Sequence, residues 1–255
     1  MDTMNSRDIL LREGERLDET GFGELKLIQK PEEFCYGVDA VILADFASKS
    51  VKRSTKKLVD LGTGTGIIPI ILTHKTNVPN LYGLEVQDGS FDRAQRNIEI
   101  NGLHERLSFI HDDVKDYKTW GREFAGSVDI VTSNPPYTAS QEGITCTNNA
   151  KLIARHETTA GLEDFIKCAA YILRDKGDFF MVHRPSRIVD ICCLGRQYGL
   201  EPKEMCFVSP DVNKKANILL VHFVKGGGRE MKMMDPLYVY DLDGNYTEKL
   251  REAYK

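Results

Sequence analysis

The sequence predicts an α/β fold, a doubly wound, mostly parallel sheet that ends in an antiparallel hairpin. Three observations carry this. From Leu58 to Tyr198, short apolar runs alternate with stretches of helical periodicity, the pattern of successive strand–helix units. The run Leu58-Val-Asp-Leu61 opens directly into Gly62-Thr-Gly-Thr-Gly66, a glycine-rich strand-to-helix turn. Near the end, Met205–Val208 and Asn217–Val224 are two strand-like runs joined by only Asp211–Ala216, too short for anything but an antiparallel connection.

Composition fits a single soluble domain. The chain has 255 residues, 41% hydrophobic and 28% charged, ample for one core. Residues 1–50 read as an N-terminal arm with short strands and a helix, 51–225 as the sheet core, and 226–255 as a basic loop and extension. No stretch has the length and apolarity of a membrane span, and the polar start Met1-Asp-Thr-Met-Asn-Ser has no signal-peptide core. Cys35, Cys146, Cys168, Cys192, Cys193 and Cys206 form no C-x-x-C pair, and the six histidines lack ligand spacing, so no metal is expected. Scattered thiols suit a reducing, cytoplasmic setting. The net charge of −4 neither requires nor forbids a nucleic-acid partner, since a local basic face decides that.

The elements follow in order. Residues 1–20 are charged and read as a loose arm. Leu25–Gln29 alternates as a short strand, Pro31 interrupts it, and Phe34-Cys-Tyr36 is its expected hairpin partner. Asp39 stands where an N-cap would, before a helix with Val41, Ile42, Ala44 and Phe46 on one face. Val51–Lys57 is a basic connector. After the glycine turn come a helix over Ile67–His74, a strand over Leu81–Glu85, and an amphipathic helix from Asp88 to Asn101 stopped by Gly102. Leu107–Ile110 is the next strand, followed by Asp112-Asp113-Val114. Val128–Val131 is a buried strand. Residues 138–150 show little periodicity and fit a lid over a substrate. Lys151–Glu157 and Leu162–Leu173 read as helical. Gly177 turns the chain into the strand Asp178–His183, and Ile188–Tyr198 is a helix ended by Gly199. Pro236–Thr247 suggests a strand with an Asp-Gly turn.

Chemistry concentrates where Val128–Val131 runs into Ser133-Asn-Pro-Pro-Tyr137. Two prolines end the strand, so the chain leaves the sheet at Asn134, at a carboxyl end where open α/β sheets bind ligands. Asn134 and the Pro135 carbonyl can accept the two hydrogens of a planar amino group, Pro136 stiffens the turn, and Tyr137 can stack on the group's plane. Such an amine is a poor nucleophile because its lone pair is delocalised. Two accepted hydrogen bonds localise that pair, and placement opposite an electrophilic methyl group does the rest.

The glycine turn favours a particular methyl donor. Its spacing is G-x-G-x-G, not the dinucleotide pattern, and Asp60 precedes it. A carboxylate there would repel a pyrophosphate but suits the ammonium and sulfonium of S-adenosylmethionine. Glu85, 23 residues after Gly62, is placed for ribose hydroxyls. Asp113 can accept the adenine amino group, or simply cap the following turn.

Together, Asp60–Gly66, Glu85, Asp113 and Asn134–Tyr137 resemble the class I S-adenosylmethionine-dependent methyltransferases of the amino-methylating branch. Phe34–Phe46, Ala154-Arg-His-Glu157, Met181–Arg187, Val224–Gly228 and Val239–Tyr246 are similar, more narrowly, to the bacterial tRNA(Val) (adenine-N6)-methyltransferase family, across almost all of the chain. Val41-Ile-Leu43 departs mildly from the expected Val-Leu-Leu. The resemblance implies a Rossmann-like methyltransferase sheet, cytoplasmic tRNA modification, and methylation of the adenine beside the anticodon of valine tRNA. It implies cofactor contacts at Tyr36, Asp39, Asp60, Gly62, Thr63, Gly64, Gly66, Glu85, Val86, Asp113, Val114 and Asn134, and catalysis by Asn134, Pro135, Pro136 and Tyr137. Arg155, His156, Arg184, Arg187, Lys225 and Arg229 are candidate RNA contacts. Each also reads as ordinary surface: a helix Arg–Glu pair for Arg155 and Glu157, strand-end ion pairs for Arg184 and Arg187, a solvated loop for Lys225–Lys232. Protein-glutamine N5 methylation and DNA or rRNA amino-methylation are the rival activities, and a non-catalytic RNA-binding protein of the same fold is the rival class. A glutamine methyltransferase carries a sizeable helical domain first, for which the 57 residues before the first core strand leave no room.

Overall fold

The structure is a computed structural model that describes residues 10–33, 35–137 and 160–255. Its strands are β1 (Arg16–Glu19), β2 (Lys26–Gln29), β3 (Lys57–Leu61), β4 (Asn80–Glu85), β5 (Leu107–His111), β6 (Val128–Ser133), β7 (Leu173–His183), β8 (Leu200–Ser209), β9 (Ile218–Lys225), β10 (Lys232–Met233) and β11 (Leu237–Tyr238). Its helices are α1 (Val38–Ser48), α2 (Ile67–Lys75), α3 (Asp88–Asn101), α4 (Leu162–Ile172), α5 (Ile188–Gln197) and α6 (Glu248–Ala253).

The main sheet runs β10-β8-β9-β7-β6-β3-β4-β5, with β11 also on β8. Strands β5, β4, β3, β6 and β7 are parallel, while β9 lies antiparallel to both β7 and β8. The chain steps outward from β3 through β4 to β5, then returns to β6 on the other side. That reversal opens a crevice beyond the carboxyl ends of β3 and β6. Both faces of the sheet are covered, so the central strands are almost continuously apolar. Strand β7 shows the division: Phe180 and Val182 face the core under α1 and α2, while Phe179 and Met181 face the one under α4 and α5.

Local chemistry explains the helices nearest the crevice. Helix α2 tolerates Pro69 because it sits in the first turn, where its missing N–H has no intrahelical partner anyway. Helix α3 ends at Gly102 (φ +63°), whose N–H and that of Leu103 close the last turn onto Glu99 and Ile98 carbonyls. On its inner face, Asn97 and Asn101 are one turn apart. Asn97 Oδ1 accepts the Ile28 N–H (2.7 Å), and Asn101 Oδ1 accepts the Lys26 N–H (2.8 Å). These bonds satisfy the free edge of β2. Asn97 Nδ2 also donates to the Thr65 carbonyl (2.9 Å), so one side chain ties the N-terminal hairpin to the glycine turn. At the other end of the chain, Tyr254 stacks on Phe22 of that hairpin (5.7 Å between centroids).

Several expectations need correction. The strand at 26–29 pairs with Arg16–Glu19, so residues 16–19 are not a loose arm; of the expected partner 34–36, Cys35 and Tyr36 are not strand and Phe34 lies outside the described residues. The sequence there, Arg-Leu-Asp-Glu, hides its strand because both faces carry charge. Gly37, not Asp39, caps α1; Asp39 lies inside the first turn. Strand β7 already begins at Leu173, with a register shift opposite Val128–Ile130 absorbing the segment around Gly177. Strand β8 is longer than Met205–Val208, with Pro202 at its own register irregularity. The expected lid at 138–150 and helix at 151–157 lie outside the described residues. Among the described residues no helix is long and apolar enough to cross a membrane.

Candidate active site

Three carboxyl-terminal strand ends supply the crevice. At the first, Gly62 (φ +71°) and Thr63 donate their N–H groups to the Leu84 carbonyl (both 2.9 Å), folding the glycine turn over β4. Gly66 (φ +87°) caps α2, and the Phe109 ring lies so close that a β-carbon there would stand 2.3 Å from it. Above Gly64 (φ +59°) a β-carbon would meet nothing within 4 Å, so backbone faces open space. Asp60 is fully buried beneath the turn. Thr132 on β6, its register partner, donates to Asp60 Oδ1 (2.6 Å). Among the described residues, Asp60 Oδ2 and Thr63 Oγ1 are buried with no hydrogen-bond partner of normal geometry. Burial pushes the Asp60 carboxyl up to about 7, against the pull of the Thr132 hydroxyl.

At the second strand end, Glu85 is buried and uses both carboxylate oxygens: Oε2 accepts the Gly64 N–H and Oε1 the Gln87 N–H (each 2.8 Å). A carboxylate oxygen accepts more than one bond, so this engagement leaves capacity for hydroxyl donors. Val86 beside it is 54% exposed, an apolar surface at the crevice mouth. Beyond β5, Asp113 Oδ1 caps a 3-10 turn through the Lys115 N–H (2.9 Å), and Oδ2 pairs with the Lys115 ammonium (3.3 Å). Asp113 thus caps this turn, with buried Val114 next to it.

The third end is β6. Ser133 Oγ donates to the Leu61 carbonyl (2.9 Å), locking the two strand ends together just before Asn134. Asn134 Nδ2 donates to Asp39 Oδ2 (3.1 Å), and the Tyr137 hydroxyl donates to Asn134 Oδ1 (3.0 Å). Pro135 is buried, whereas Pro136 is exposed. The Tyr137 ring has the Arg184 guanidinium 4.8 Å from its centroid and the His183 ring edge-on at 5.1 Å. Burial, reinforced by the Asp39 charge, drives the Tyr137 phenol above its ordinary range. Burial and then the Arg187 charge lower His183 to about 4, so its ring is neutral at pH 7 and Nδ1 accepts the Arg184 N–H (2.8 Å).

Placement of the sequence-derived residues follows from this. Asp60, Gly62, Thr63, Gly64, Gly66, Glu85 and Val86 come together around the first two strand ends. Asp39, Asn134, Tyr137 and Arg184 form a second group at the third. Tyr36 is half-buried three residues before Asp39, its phenol raised by burial and by the charge of Asp18. Arg184 also donates to the Asn217 carbonyl (3.2 Å), and Arg187 is paired with Asp190 (2.6 Å). Lys225 and Arg229 do not join the site. Strand β9 is antiparallel, so its final residue Lys225 lies at the opposite end of the sheet, where its ammonium donates to the Ala170 and Leu173 carbonyls at the end of α4 (2.6 and 2.7 Å). Arg155 and His156 lie outside the described residues. Sequence reasoning missed Thr132, which only the β3–β6 register reveals, and the Asp39–Asn134 contact, whose partners are far apart in the chain. Among the described residues no cluster of three or more His, Cys, Asp or Glu could hold a metal.

The chain is 24% identical over 223 residues to the tRNA1(Val) (adenine(37)-N6)-methyltransferase of Bacteroides thetaiotaomicron, covering 86% of this chain and 89% of that protein. It is 26% identical over 219 residues to the protein of the same name from Actinobacillus pleuropneumoniae serotype 7, covering 85% and 87%. Among solved structures, a predicted O-methyltransferase of Agrobacterium tumefaciens superposes with a TM-score of 0.67 at 19% identity, over 85% of this chain and 95% of that one. TYW2 of M. jannaschii, solved in complex with AdoMet, superposes at 0.57 and 12% identity, over 84% and 88%. The family model described as methyltransferase small domain matches residues 25–190, which include the glycine turn, the Asn134 turn and the β7 strand end, and the chain belongs to that family.

Proposed function

We propose that this chain transfers a methyl group from S-adenosylmethionine to the exocyclic N6 of an adenine in tRNA, the one beside the anticodon of valine tRNA. One observation carries the chemistry: the Asn134 amide is held at the sheet's reversal point with its nitrogen spent on Asp39 and its oxygen turned the other way. That oxygen has two lone pairs, of which Tyr137 uses one. The other, with the Pro135 carbonyl, can accept the two hydrogens of an adenine amino group. The names borne by the relatives support tRNA as the substrate class, and the valine tRNA in particular.

The cofactor fits the donor set. Among the described residues, buried Asp60 Oδ2 and Thr63 Oγ1 have no hydrogen-bond partner of normal geometry beside the glycine turn, and Gly64 presents bare backbone. Asp60, Gly62, Thr63, Gly64 and Gly66 would hold the methionine portion, Glu85 the ribose, and Val86, Val114 and Asp113 the adenine. When bound, the cofactor supplies a methyl group activated by a cationic sulfur. The protein supplies placement: Asn134 and Pro135 draw the lone pair of N6 out of conjugation and aim it. The proton leaves after the bond forms, when the nitrogen is acidic, so the neutral His183 need not act as a base. Arg184 and Arg187, at the rim, would meet RNA phosphates.

The test is methyl transfer from labelled S-adenosylmethionine to bulk tRNA lacking the modification, followed by nucleoside analysis. Label in N6-methyladenosine of valine tRNA is the expected outcome. Label in protein glutamine or in DNA, with none in tRNA, would overturn the substrate.

A further inference from the structure

Asp39 reads from the sequence as a helix cap or a cofactor contact; Gly37 takes the cap position, and Asp39 stands inside the first turn facing the Asn134 turn. Among the described residues its carboxylate accepts two hydrogen bonds: Oδ1 from the Ala40 N–H (3.0 Å), and Oδ2 from Asn134 Nδ2 (3.1 Å). An amide side chain is nearly symmetric in shape, so packing alone does not decide which end faces the acceptor amine. Electrostatics does. A carboxylate only accepts hydrogen bonds, so the Asn134 nitrogen must face Asp39, and the reversed amide would set two acceptor oxygens about 3 Å apart. The Tyr137 hydroxyl donates to Asn134 Oδ1 (3.0 Å) and holds the same sense. Gly37 makes the arrangement possible, since a β-carbon there would stand 3.0 Å from Asp39 Oδ1 and crowd it.

We propose that Asp39 is a positioning residue for methyl transfer, fixing the Asn134 amide with its carbonyl toward the acceptor nitrogen and enriching that carbonyl's negative charge. This rests on the methyl-transfer function above. The carboxylate touches neither methyl donor nor acceptor; it acts through the Asn134 amide. As the acceptor nitrogen becomes a methylated cation, the Asp39 charge relayed through that amide favours the product-like state.

The test is Asp39→Asn, which keeps the size and removes the constraint, because the new amide can donate to Asn134 Oδ1 and turn it round. Turnover on tRNA is measured together with S-adenosylmethionine affinity by calorimetry and with the melting temperature. The expected result is a kcat lower by about 100-fold, with cofactor Kd and melting temperature unchanged. Loss of cofactor affinity with kcat intact would overturn the proposal and return Asp39 to the cofactor. Unchanged kcat with a lowered melting temperature would overturn it in favour of a purely structural contact. If Asp39→Asn does not fold, Asp39→Glu, which displaces the carboxylate by one methylene, is read in the same way. The wild-type protein is assayed alongside: no transfer to tRNA by it defeats the functional reading, whereas wild-type activity with undiminished variant kcat defeats only the role of Asp39.

Discussion

Replacing Asp60 with asparagine should change how stability depends on pH. Asp60 is fully buried, and its carboxyl is raised from 3.8 to about 7 in the folded chain. The folded state therefore holds a proton that the unfolded state releases. The stabilisation is complete below pH 3.8 and is lost as pH rises through 7. At about 1.4 kcal/mol per decade, the full effect is roughly 4 kcal/mol, of which roughly 2.5 kcal/mol is lost between pH 5 and pH 8. His183 complicates the wild-type curve with the opposite sign. Its folded value of about 4 lies below the ordinary 6.5, so its contribution is present above pH 6.5 and fades as pH falls toward 4. The difference between wild type and Asp60→Asn cancels that background. The asparagine adds an amide N–H near the unpartnered Oδ2 position, a fixed cost of about 1–3 kcal/mol that does not vary with pH. Urea unfolding of the cofactor-free protein at intervals from pH 5 to pH 8 measures both terms. A wild-type minus variant difference that stays flat across this range refutes the reasoning. If the ammonium of the cofactor sits against Asp60, wild-type affinity also rises through pH 7 and the variant's does not.

Other outcomes follow from the same geometry. Asn134→Ala should cut kcat by about 100- to 1,000-fold and leave calorimetric cofactor affinity nearly intact; a matching loss of affinity would remove Asn134 from its catalytic role. Gly66→Ala places a β-carbon 2.3 Å from Phe109 at φ +87°. Strain and overpacking together should cost roughly 3 kcal/mol, read as a lower urea midpoint. Arg184→Ala should raise the RNA concentration for half-saturation several-fold and reduce the salt slope by about 1. Lys225→Ala should lower stability by about 1–2 kcal/mol with no change in RNA binding; a weakened RNA complex would show that the far end of the sheet also grips substrate.

Much of the sheet was legible because buried parallel strands announce themselves as apolar runs, and because glycine and proline punctuate them. The Gly62–Gly66 turn, the Asn134 exit and the final hairpin each depend on local chemistry, which a sequence displays directly. What stayed hidden depends on register and on distance. Thr132 matters because it lies opposite Asp60, a pairing no local pattern encodes. Lys225 reads as a candidate RNA contact from its basic, glycine-rich neighbourhood, and only the antiparallel direction of β9 reveals that it lies at the end of the sheet away from the Asn134 turn. Strand β1 was missed because both of its faces carry charge, and because β2 finds its partner before it in the chain, not after. The bond from Asn134 to Asp39 stayed hidden because its two partners sit on different elements far apart in the chain.

The stacking of Tyr254 on Phe22 has a kinetic consequence. It joins Phe22 to Tyr254, far apart in sequence, so forming it early would close a very long loop, at the largest entropic cost of any contact described. It should form after the sheet has already drawn those ends together. By the same reasoning it should open first. Amide hydrogens of β1, β2 and α6 should exchange together and ahead of those in β3 and β6, as a cooperative unit that loosens while the crevice stays assembled.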